Sequence, residues 1–147
     1  MVDLKLPKQQ ILEYPWLPYR TRYFDVLYYP VANIAVRYGH SNNWLSGLFV
    51  IDSGADITTM NKIVAEMLGI SDFESGERIE LTAAGGSAIE ARIHRVDIAF
   101  NGIVVPDVRI AFAKKNELKM SLLGRLDVFD YFDVNLQART RRTILVH

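Results

Sequence analysis

Cysteine is absent from all 147 residues. Its absence excludes disulfides, thiol catalysis and cysteine-held metals, and it fits a reducing compartment. An excess of either charge is also missing: 17 Lys and Arg balance 17 Asp and Glu, for a formal net charge of zero. A nucleic-acid binder needs a basic footprint. The most basic stretch, Arg139-Thr140-Arg141-Arg142, reads instead as a solvated turn. No apolar run reaches membrane-spanning length, and the opening MVDLKLPKQQ lacks a signal peptide's apolar core. The expectation is a cytoplasmic protein with neither nucleic-acid nor membrane partners. Histidine is sparse too. His40, His94 and His147 lie far apart without ligand spacing, so neither a metal nor another cofactor is expected. Gly85-Gly86 has no Walker lysine after it, which argues against phosphate binding.

What is present is ordinary globular composition, 50% hydrophobic and 23% charged. The length suits one domain that buries about two-thirds of its unfolded surface. Residues 1–29 read as an N-terminal arm. Pro7, Pro15 and Pro18 make its first twenty positions irregular, while Tyr14, Trp16, Leu17 and Tyr19 seek a surface to pack on. Residues 30–147 form the domain proper. Residues 22–29 and 45–51 have strand character, and a turn is expected over 38–43. Residues 61–68 have helical spacing, with Gly69 as the stop. Residues 78–82 and 88–93 flank the small residues 83–87 as a hairpin. Val96, Ile98 and Phe100 alternate, Asn101-Gly102 gives a two-residue turn, and Val108, Ile110 and Phe112 alternate on the return. A short helical patch at 127–132 and a final hairpin complete an all-β barrel or sandwich.

The chemistry concentrates at Leu48-Phe49-Val50-Ile51-Asp52-Ser53-Gly54-Ala55-Asp56. An apolar strand runs directly into an acid, a hydroxyl and a glycine. A carboxylate there is costly unless hydrogen-bonded or functional. Taken alone, Asp-Ser-Gly is also an ordinary turn. The context adds the small-residue hairpin and, later, Leu122-Leu123-Gly124-Arg125. Asp127, Asp130 and Asp133 recur every third residue and read as solvated helix charges rather than a cation site.

Taken together, these segments resemble the retropepsins, the aspartic proteases of retroviruses, and their cellular and prokaryotic relatives. Asp52-Ser53-Gly54-Ala55 matches the family's Asp-Thr/Ser-Gly-Ala, residues 81–91 match its flap, and Leu122-Leu123-Gly124 matches its apolar pair before glycine. The resemblance covers roughly residues 30–147. It implies a closed acid-protease barrel with two short helices and one half-site per chain. The implied activity is aspartic endopeptidase, acting on a peptide or protein substrate as a homodimer. Each protomer supplies one Asp52; two close carboxylates share a proton, and one then acts as base towards water.

The resemblance also implies roles for other residues. Ser53 and Gly54 support the site. Ala55, Asp56, Ala84, Gly85, Gly86 and Leu122 bind substrate, and Arg125 pairs with Asp56. Apolar walls are expected from Val50, Ile57, Ile89 and Leu122. Serine stands where threonine is commoner, the flap tip lacks an aromatic, and the arm has no family counterpart. The alternative is a retropepsin-fold dimer that binds peptides without useful turnover.

Overall fold

Period-two apolar spacing and frequent turn residues give twelve strands in the computed structural model, which describes residues 8–147. In chain order they are β1 (Ile11–Pro15), β2 (Leu17–Arg20), β3 (Val26–Tyr29), β4 (Val31–Arg37), β5 (Leu45–Ile51) and β6 (Thr58–Asn61). They continue with β7 (Glu77–Thr82), β8 (Ala88–Phe100), β9 (Ile103–Ala113), β10 (Ser121–Leu123), β11 (Asp133–Gln137) and β12 (Arg142–Val146). A single α-helix, α1 (Lys62–Met67), and one 3-10 turn (Phe73–Ser75) interrupt the described strands.

Strands β4, β5, β10, β6, β9 and β8 pair in that order, and β4 also pairs with β8, which closes a barrel. The β5–β10 and β6–β9 pairings are parallel, and the others are antiparallel. Strand β7 adds to the free side of β8. The alternating residues expected to form the core do so. Val96, Ile98 and Phe100 of β8 and Val108, Ile110 and Phe112 of β9 are at most 2% exposed. Burying each such side chain contributes roughly 1.5–3 kcal/mol before the entropy of ordering is set against it.

The β8–β9 turn uses Asn101 and Gly102 at φ 45° and 91°, the left-handed conformations that a tight hairpin requires. The pairing slips between Val96↔Val108 and Ile98↔Val105. The extra residue lies at Pro106-Asp107, a bulge that tolerates the missing proline N–H. Asp107 there has φ 59°, and its N–H donates to Asp97 Oδ1 at 3.1 Å.

The structure corrects three expectations. Residues 11–20 are not irregular, because β1 pairs with β12 along its whole length and β2 pairs with β3. Pro15 and Pro18 sit where strand edges forgive a missing donor. Only Val26–Tyr29 of the strand expected over 22–29 forms; Thr21 Oγ1 instead closes a turn with Phe24. The patch at 127–132 is a succession of turns rather than a helix, with Phe129 N donating to Arg125 O at 2.9 Å. Asp127 is at φ 65°, which α-helical backbone does not allow. Residues 139–141 form the exposed turn that was expected, and Arg142 begins β12. The Arg141 guanidinium lies 3.7 Å from the centre of the Tyr28 ring, and Arg142 reaches Glu13 at 3.3 Å. Both hold the N-terminal strands against the final hairpin. Residues 1–7 of the expected arm, Pro7 included, lie outside the described residues.

Candidate active site

Strand β5 buries Phe49 and Ile51 at 1% and 2% exposure, and Asp52 follows at its end. The Asp52 N–H donates to Leu123 O at 3.0 Å on the parallel neighbour β10. Its carboxylate Oδ1 accepts from Gly54 N–H at 2.9 Å. A glycine two residues after an acid leaves room for a neighbouring group to approach closely. In the structure it is the carboxylate that crowds it: a Cβ there would sit 3.2 Å from Asp52 Oδ1. The glycine so lets the loop curl under its own acid.

The close backbone approach occurs at Gly124 instead. A Cβ at 124 would meet Ile57 O at 2.5 Å and Thr58 N at 2.8 Å, distances no side chain tolerates. Gly124 N–H donates to the buried Thr58 Oγ1 at 3.0 Å. Arg125 N–H donates to Ala55 O at 3.0 Å and Leu126 N–H to Asp56 O at 2.9 Å. The acid-bearing loop is thus fastened to the segment after β10 by main-chain bonds. Neither Thr58 nor this role of Gly124 is legible from residue type alone.

Arg125 adds two side-chain bonds. Its Nη1 donates to Ser53 O at 2.7 Å, and its Nη2 meets Asp56 Oδ1 at 2.6 Å. The expected contact with Asp56 is present but open to solvent. Arg125 splits between a carbonyl and one carboxylate oxygen, and the two side chains are 48% and 90% exposed. An ion pair this open is worth at most about 1 kcal/mol.

A cleft of about 900 Å³ opens at Asp52. Gly54, Ala55, Asp56, Ile57, Ile89 and Leu122 line it, with Ala83 and Ala84 from the hairpin above. Of the residues expected around substrate, Val50, Gly85 and Gly86 are not part of this lining. Val50 lies within the sheet, opposite Val31 and Leu122. Gly85 and Gly86 form the hairpin tip at φ 121° and 84°, where Gly86 N–H donates to Ala83 O at 2.9 Å. Ile79, Leu81, Leu118 and Thr59 complete walls that composition gave no reason to single out.

The remaining candidates lie elsewhere. His94 is buried with Nε2 2.8 Å from Phe73 O, packed near Phe73 and Phe112. Asp127 is not a solvated helix charge but binds Arg109 twice, with Nε–Oδ2 and Nη2–Oδ1 both 2.9 Å. That hydrogen-bonded guanidinium, aided by the Arg109 N–H, holds its carboxyl below the usual range against the opposing effect of burial. Among the described residues no cluster of His, Asp and Glu has the arrangement of a metal site. No helix of the described residues is long and apolar enough to cross a membrane.

A closed six-stranded barrel with an acid-bearing loop fastened beneath a β-hairpin defines a retropepsin-like aspartic protease fold. The chain belongs to that family: residues 42–128 match the family described as "gag-polyprotein putative aspartyl protease". Among solved structures it is similar to a retropepsin-like aspartic protease from Rickettsia conorii. That similarity has a TM-score of 0.63 and 20% identity, covering 95% of this chain and 94% of the other. It is also similar to EIAV protease complexed with the inhibitor HBY-793, at TM-score 0.52 and 19% identity over 70% and 86% of the two chains. At these identities the structural likeness speaks for the fold. No curated protein sequence matches the chain.

Proposed function

We propose that this protein is an aspartic endopeptidase whose active site forms between two copies, each contributing Asp52. The observation that carries this reading is the placement of Asp52. It stands at the end of a buried strand, its carboxylate held by Gly54 N–H, facing a cleft roofed by a β-hairpin. Membership of the aspartyl protease family supports the same role.

Each chain carries one Asp-Ser-Gly, so a carboxylate pair requires two chains. In the proposed reaction one Asp52 is ionised and the other protonated. The ionised one takes a proton from water as the water oxygen attacks the scissile carbonyl carbon. The protonated one gives its proton to the carbonyl oxygen. Collapse of the resulting diol breaks the C–N bond, and a carboxyl proton passes to the leaving nitrogen. Because the pair must keep one proton, activity belongs at acidic to mildly acidic pH. The apolar walls Ile57, Ile79, Ile89 and Leu122 favour extended peptides with apolar residues beside the cut.

Digestion of a diverse peptide pool from acidic to neutral pH tests the assignment. The Asp52→Asn protein is expected to keep its fold and dimer and to lose roughly 10²–10⁴-fold in rate, since an amide cannot shuttle the proton. Cleavage by Asp52→Asn at the parental rate overturns it. So does inhibition by chelators in place of pepstatin-like transition-state mimics. Peptide binding without turnover would instead support the binding-module alternative.

A further inference from the structure

One buried hydroxyl in the Asp52 cleft has no partner. Thr58, Thr59 and Met60 follow one another on β6 and alternate faces. Thr58 turns inward, where its Oγ1 accepts from Gly124 N–H. Thr59 faces the other way with Ile57, two residues before it, and both line the cleft. Leu122, directly opposite Thr59 across the β6–β10 pairing, lines it too. Thr59 is 5% exposed, and its Oγ1 makes no hydrogen bond.

Its cross-strand neighbour Leu122 is apolar, and Ile57, Ile79 and Leu118 line the same cleft, which also carries Glu80 and Thr82. Valine has nearly the same shape as threonine and would fill this position with no unpaired polar atom. An unpaired buried hydroxyl is costly, so it marks a place where a missing partner supplies the bond. Rotation about χ1 exchanges the hydroxyl and methyl positions on Cβ and can aim the oxygen at the cleft.

We infer that Thr59 is a specificity-determining residue: its hydroxyl hydrogen-bonds a small polar side chain of a peptide lying in the Asp52 cleft. The inference rests on the endopeptidase reading for its substrate class. It narrows that class to peptides carrying one Ser, Thr or Asn among otherwise apolar residues near the cut. A hydroxyl on a largely apolar stretch of wall gives such a side chain a partner that an isosteric apolar side chain leaves unpaired.

The test uses paired peptides that differ only by Thr or Val, with the exchange made at each position around the cut in turn. For the parent protein, one position is expected to favour Thr over Val by about five- to tenfold in kcat/KM. Thr59→Val should remove that preference, so that the Thr and Val peptides are cut with equal kcat/KM. Thr59→Ser should restore it. A thermal melt no lower than the parent's shows that Thr59→Val has kept its fold. Equal Thr/Val profiles in the parent and in Thr59→Val overturn the inference and leave the protease reading intact. If the parent cleaves no peptide, the same pairs are measured for binding by fluorescence anisotropy. A Thr preference in binding that Thr59→Val loses then supports the hydroxyl's role while the protease reading fails. Binding without that preference, or no binding, overturns the inference.

Discussion

At the scale of single residues, two acids mark how the fold responds to pH. Tyr14 of β1 is 6% exposed, and its hydroxyl has no hydrogen-bond partner. Burial pushes the phenol from 10.0 up to about 12. Below pH 10 the phenol is neutral whether the chain is folded or not. As pH rises towards 12 the unfolded chain ionises first, so stability falls by ~2–3 kcal/mol over that window. Tyr14→Phe should abolish this alkaline loss, and at neutral pH it should stabilise by about 1 kcal/mol by removing the unpaired hydroxyl. Denaturant melts at neutral and alkaline pH measure both effects. Asp127 works in the opposite direction. Its carboxyl lies below the ordinary 3.8 because Arg109 hydrogen-bonds it. The resulting stability is full above the unfolded value and is lost as pH falls through the folded one. Asp127→Asn keeps a residue that tolerates φ 65° and removes the charge. It should cost about 1 kcal/mol at neutral pH and flatten the acid limb of the stability profile, as urea melts across the acid range will show.

Elements owe their legibility in the sequence to whichever force fixes them. Strands β8 and β9 were readable because alternate residues face one core and Asn101-Gly102 can only turn. The β7–β8 hairpin was readable because Ala83-Ala84-Gly85-Gly86-Ser87 offers nothing to pack. Asp52 was readable only in context: Asp-Ser-Gly alone is an ordinary turn, and the small-residue hairpin and Leu122-Leu123-Gly124 complete the pattern. Strands β1 and β2 were hidden by their prolines, whose tolerance depends on lying at an edge that only the pairing with β12 and β3 defines. The patch at 127–132 carried helical spacing, but Asp127 turns left-handed to reach Arg109, 18 residues away. Thr59 was invisible because the direction of its hydroxyl depends on the register with Leu122. The hairpin tip gives the prediction at this scale. Gly86 is at φ 84° with open space around it, so Gly86→Ala costs backbone strain of about 1–2 kcal/mol at the tip alone. Global melting should barely move, because the tip is exposed. Amide exchange over residues 81–91 should quicken, and peptide turnover should drop if this hairpin closes over substrate.

For the whole molecule, the open question is what the last sheet faces. Its order is β1-β12-β11, so β12 is interior and the free edges belong to β1 and β11. The register separates residues that alternation alone groups together. Val134 lies opposite the buried Leu145 and packs against the core, whereas Leu136, opposite the buried Thr143, is 39% exposed. Ile144 and Val146 point the other way, with Ile11 beside Val146 and 62% exposed. This outer apolar strip, bounded by two open strand edges, is the surface we propose joins two copies about a two-fold axis. Removing residues 134–147 is a poor test of it, because the deletion takes Leu145 and Thr143 out of the core. Ile144→Asp is a cleaner one. It places a charge on the strip, where a two-fold axis sets it against its own copy. The variant should melt within about 1 kcal/mol of the parent, since Ile144 lies on the outer face, away from the core. It should sediment as a monomer at micromolar concentration and lose peptidase activity while Asp52 remains intact. The parent's specific activity should fall on dilution towards the dissociation constant. A parent that sediments as a monomer with full activity at that concentration removes both the dimer and the paired-Asp52 mechanism.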